Sequence, residues 1–70
     1  MKELLIQLVQ LYLKSDWDMT DFIKVQRLKE QIIDAYSRSQ ITWREYNVIY
    51  PFANYLVKEI RHLLKKEGMF

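Results

Sequence analysis

Few residues in this sequence could carry covalent chemistry. His62 is the only histidine and cysteine is absent, which excludes a thiolate nucleophile, a disulfide framework and a thiolate zinc site. His62 falls at the edge of a polar stripe near a helix C-terminus, where it reads as a solvated residue complementing the helix dipole. The one glycine, Gly68, stands at the C-terminal end, so no phosphate-cradling loop or nucleophile elbow can be built. Asp16, Asp18 and Asp21 suggest the start of a calcium loop. Such a loop would need glycine at its sixth position and glutamate at its twelfth, and this chain has Asp21 and Arg27 there. Helix capping accounts for those acids instead. The expectation is a non-enzymatic protein with no catalytic residue, no metal, no cofactor and no small-molecule substrate.

The residues best suited to act would act by binding. At 100° per residue, Trp43 and Tyr50 fall beside a polar stripe on the last helical segment, and Val57 continues their row at i+7. Arg44, Asn47, Asn54, Lys58, Arg61 and Lys65 run alongside. The candidate partner-binding set is Trp43, Tyr50, Val57, Arg44, Lys58, Arg61 and Lys65. Such a surface could hold a protein through aromatic and arginine anchors, or stack and neutralise a single-stranded nucleic acid. Alternatively, Trp43 and Tyr50 pack on the first helix or on a second copy, and the lysines only offset the helix dipole. Between the two binding readings, the protein partner is preferred. A helix-turn-helix reader of duplex DNA is disfavoured, because Ser37-Arg38-Ser39-Gln40 intervenes where a tight glycine turn is usual and Pro51 interrupts the supposed recognition helix.

Three helices must position these residues. Glu3, Gln7, Gln10 and Lys14 are spaced 4-3-4, so the segment from Lys2 to Lys14 is a helix with one narrow polar stripe and an otherwise apolar surface. Leu4, Ile6 and Leu11, at the margins of that surface, need something to cover them. Asp18 with Asp21, and Thr42 with Glu45, have capping-box spacing, with Trp17 placed to staple onto Phe22 and Ile41 onto Tyr46. From Met19 to Arg38 the residues Phe22, Val25, Leu28, Ile32, Ala35 and Tyr36 share one face. Lys29 also points into it, and snorkelling past its neighbours is the preferred reading over pairing with an acid.

Pro51 is the one ambiguity. It should break or bend a helix at Tyr50, yet Arg44, Asn47, Pro51, Asn54, Lys58, Arg61 and Lys65 keep an unbroken 3-4 spacing through it. The expectation is a single helix from Trp43 to Glu67, kinked at Pro51, with the proline on the solvent side. Ile49, Ala53, Leu56, Ile60 and Leu63 form its apolar seam, with Phe52 and Leu64 as shoulders. Gly68 closes it in a left-handed cap, with Met69 placed to touch Leu64.

Composition sets the scale. Seventy residues, half of them hydrophobic, with one Gly and one Pro, allow one domain of few, long elements and rule out a sheet of many short strands. Low hydrophobicity and high net charge, the signature of disorder, are both lacking. The formal charge is +2 from 11 basic and 9 acidic residues, too balanced to imply nucleic acid by itself. The apolar run from Leu4 to Leu13 is interrupted by Gln7 and Gln10 and is too short to cross a bilayer. Glu3 and the lack of a small-residue cleavage site argue against a signal peptide. A cytoplasmic protein that does not engage membranes is expected, with the economy of a short bacterial or phage regulatory reading frame.

The run Leu28 to Tyr46, with Tyr36, Ile41-Thr42 and Glu45-Tyr46, resembles the helical hairpin of short bacterial oligomerisation domains, in which a glycine turn precedes Ile-Thr-x-x-Glu and an aromatic. It covers about a quarter of the chain, and Ser39-Gln40 stands where that pattern has glycine. The resemblance implies self-association. Mismatched helix lengths imply the same, and a homodimer is expected, two-fold pairing being the commonest soluble assembly.

Overall fold

The computed structural model describes residues 2–68, and they form the expected all-α, three-helix domain: α1 (Lys2–Leu13), α2 (Met19–Ser37) and α3 (Trp43–Lys66). Each helix stops one residue short of its expected end, which is within the fraying of a last turn. Both expected capping boxes are formed. Asp18 Oδ1 accepts from the Asp21 amide and Asp21 Oδ2 from the Asp18 amide, each at 3.0 Å. Thr42 Oγ1 accepts from the Glu45 amide at 3.1 Å while Glu45 Oε1 accepts from the Thr42 amide at 2.8 Å. These reciprocal bonds satisfy amides that a helix start would otherwise leave unpaired.

The link between α2 and α3 is a Schellman turn built without glycine. The Gln40 amide donates to the Ala35 carbonyl at 2.8 Å and the Ser39 amide to the Tyr36 carbonyl at 3.0 Å, the two bonds that define the motif. Its left-handed position is Ser39, with φ 60°. Ser39 thus takes the conformation for which glycine is the usual residue. Gly68 does the same after α3, with φ 78° and its amide bonded to the Lys65 carbonyl at 3.1 Å. The expected contact of Met69 with Leu64 lies outside the described residues.

Helix α3 runs uninterrupted through Pro51, which is exposed. The proline lacks the amide that would donate to the Asn47 carbonyl, and its solvent-facing position leaves that carbonyl accessible to water. Late residues of α2 meet early residues of α3, as Tyr36 on Tyr46 and Lys29 at Asn54 show, so the two form an antiparallel hairpin. Helix α1 packs across both.

The core is the sum of the three apolar faces: Leu8 and Leu11 from α1, Val25, Leu28, Ile32 and Ala35 from α2, Ile41 from the turn, and Ile49, Ala53, Leu56, Val57, Ile60 and Leu64 from α3. Two shoulder assignments are corrected. Leu64 is fully buried while Leu63 is only partly covered, because a row of residues seven apart drifts by about 20° per step and the row through Leu63 leaves the core as the row through Leu64 enters it. Of the α1 margins, Leu11 is buried and Leu4 is partly covered, whereas Ile6 remains 47% exposed.

Candidate functional site

The α2–α3 hairpin builds the aromatic and basic face. Capping by Thr42 fixes the start of α3 and so places Trp43 in its first turn, 67% exposed. The Trp43 carbonyl accepts from Asn47 Nδ2 at 2.9 Å, which ties the first turn to the second. Tyr50, two turns on, is partly buried at the end of a tyrosine stack. Its ring centroid lies 5.1 Å from that of Tyr46, which lies 4.6 Å from that of Tyr36 on α2, with interplanar angles of 20° and 25°. Near-parallel rings at these separations fit offset stacking, which contributes about 0.5–1.5 kcal/mol per pair beyond area burial.

Lys29 neither pairs with an acid nor simply extends into water. Its ammonium donates to Asn54 Oδ1 at 3.2 Å and lies 5.5 Å from the Tyr50 ring centroid, a position from which it is attracted by the ring's negative face. The side chain therefore joins α2 to α3 and holds Tyr50 against Tyr46. Sequence reasoning missed Lys29, Tyr36 and Tyr46 as members of this face, because each was assigned to packing on its own helix. The signal for their meeting is the antiparallel register of the hairpin, which no single helix period contains.

The expected row does not stay at the surface. From Trp43 it passes to half-buried Tyr50 and then to Val57, which is 7% exposed and belongs to the core. A helix face advances 20° per seven residues relative to a straight row, and over two heptads that drift carries Val57 into the core. The cations behave differently. Arg44, Lys58, Arg61 and Lys65 are all exposed, and none forms an ion pair with a described residue. The structure thus brings Tyr50 together with Tyr36, Tyr46 and Lys29, sets Trp43 and Arg44 side by side in the first turn of α3, leaves Lys58, Arg61 and Lys65 further along the helix, about 22–33 Å from Trp43, and withdraws Val57 into the core.

Elsewhere, charge serves the fold. Arg38, the residue that follows α2, pairs with Asp34 of its last turn at 3.2 Å, and Lys14 pairs with Asp21 at 2.8 Å across the α1–α2 link. His62 is exposed. Among the described residues no pocket opens and no helix is long and apolar enough to cross a membrane. No family model matches this sequence, and no curated protein or solved structure shows significant similarity to it.

Proposed function

We propose that this protein is a small non-enzymatic interaction or regulatory protein that acts by binding a protein partner through the aromatic and basic side of the α2–α3 hairpin. The observation that carries the reading is Trp43: a tryptophan 67% exposed, on a capped first turn next to Arg44, on a helix whose cations Arg44, Lys58, Arg61 and Lys65 form no ion pair with a described acid. Tryptophan and arginine are the side chains most enriched among residues that dominate protein–protein affinity, and an anchor held in place before binding loses little entropy on complex formation. A single-stranded nucleic acid is the second reading, supported by the same cations. The stacking geometry favours it less, because Tyr46 is stacked between Tyr36 and Tyr50 and Lys29 lies over Tyr50. Trp43 is then the open ring, and sequence-tolerant strand binding relies on several stacked bases.

Affinity capture from cell lysate followed by calorimetry with the purified partner tests the proposal. Wild-type protein is expected to bind an acidic or mixed surface, and Trp43→Ala to lose that binding while keeping its helical circular dichroism. Tryptophan fluorescence and anisotropy during an oligonucleotide titration test the second reading. A steep salt dependence, with a log–log slope near −2 for about three phosphate contacts, would move the assignment to nucleic acid.

A further inference from the structure

Helix α1 is the unbalanced element of the fold. Its buried side is Leu8 and Leu11, with Leu4 and Leu5 partly covered, yet Ile6, Val9, Tyr12 and Leu13 are 47%, 38%, 51% and 73% exposed. Ile6, Val9 and Leu13 follow a 3-4 spacing and so form one line along the helix. Val9 also neighbours Tyr12 at i+3, and the Tyr12 ring meets Phe52 of α3 edge-on at 5.8 Å. Val48 and Tyr55, 67% and 48% exposed, flank Phe52 at i−4 and i+3. The apolar surface is therefore continuous from α1 onto α3, on the side of α3 away from Trp43 and Tyr50.

We infer that this surface is the contact between two copies of the chain, paired about a two-fold axis with their α1 helices antiparallel. The area fits one such contact. The exposed parts of these side chains amount to roughly 600 Å², at the top of the range for the largest apolar patch on a typical monomer. With a polar rim they approach the ~800 Å² per partner of a stable standard-size interface.

The line itself is self-complementary, which selects a second copy over a foreign partner. Lys2 precedes Ile6 by four residues, so Lys2, Ile6, Val9 and Leu13 have the 4-3-4 spacing of a coiled-coil seam. When the seam is laid antiparallel on itself with Ile6 against Val9, Lys2 falls opposite Leu13, next to the link that carries Asp16. Both Lys2 and Asp16 are exposed, and the two-fold axis produces that juxtaposition twice. Lys2 stands at one end of the α1 stripe and Asp16 in the link beyond the other, so a two-fold antiparallel pairing sets opposite charges toward each other at both ends of the contact.

Light scattering and sedimentation on the whole chain test this. At about 50 µM, within the micromolar range expected for a contact of this size, wild-type protein should show twice its 8.6 kDa mass. Ile6→Glu and Leu13→Glu, both at exposed positions, should return the single-chain mass with helical circular dichroism unchanged. Lys2→Glu should weaken pairing, and Lys2→Glu combined with Asp16→Lys should restore it, which only antiparallel self-pairing explains. Trp43→Ala should leave the mass at twice the chain. A single-chain mass for wild-type protein at that concentration, a dimer that survives both glutamate variants, or polydisperse aggregates in place of a dimer would each overturn the proposal.

Discussion

The Lys14 ammonium lies 2.8 Å from Asp21 Oδ2, and that same oxygen accepts the Asp18 amide at 3.0 Å. One buried carboxylate thus closes the link between α1 and α2 and caps α2 at once. Burial pushes the Asp21 carboxyl up, but the bond from Lys14, the Asp18 amide and the Lys14 charge outweigh it and hold the group below its ordinary 3.8. The bond to Asp21 leads the causes that raise Lys14 above its ordinary 10.5, against some loss of solvation.

These directions set a pH profile for stability. A lowered carboxyl pKa stabilises the fold above the unfolded value and stops doing so as pH falls through the folded value; a raised amine pKa does the reverse at high pH. Stability is expected to be level from about pH 5 to 10 with respect to this pair, and to fall below about pH 4 as Asp21 is protonated. Asp21→Asn should flatten that acid limb, and Asp21→Ala should cost roughly 1–3 kcal/mol at neutral pH through the lost cap and buried bond. Urea melts across pH check both.

Ser39 predicts a gain. A serine at φ 60° carries a penalty of about 1 kcal/mol that glycine does not. Ser39→Gly should therefore raise stability by up to about 1 kcal/mol, offset in part by the greater freedom of glycine in the unfolded chain. A shift to lower urea midpoint would show that the Ser39 side chain contributes something that the turn bonds do not.

Pro51→Ala should preserve the fold and raise stability or leave it little changed. Alanine restores the amide that donates to Asn47, and proline in a helix interior costs up to about 3 kcal/mol. A large loss in denaturant melts would mean that the proline organises the packing of Tyr50 and Phe52 on either side of it.

Leu8→Ala should loosen α1 selectively. Leu8 is the one residue of α1 with no exposed surface, and removing a fully buried leucine side chain costs about 2–5 kcal/mol. That is a large share of the stability available to a domain of this size. Hydrogen exchange is expected to show lost protection in α1 before the α2–α3 hairpin, whose core is supplied mostly by its own two faces.

The sequence by itself determined the three helices, both capping boxes, the passage of α3 through Pro51 and the left-handed cap at Gly68. Each depends on a spacing or a dihedral preference that acts within a few residues. Tertiary structure decided what depends on neighbours far along the chain. The way α3 packs buried Val57 and exchanged Leu63 for Leu64, a shift of one residue that a helical period leaves undetermined. The hairpin register brought Tyr36, Tyr46, Tyr50 and Lys29 together, since stacking and amine–amide contact require atoms from two helices at one height. Only the packed molecule showed which half of the nearly all-apolar α1 is used. Its core contacts are satisfied by Leu8 and Leu11, and one hydrophobic side of a helix cannot face two helices and a third direction at once, so Ile6, Val9 and Leu13 are left outside.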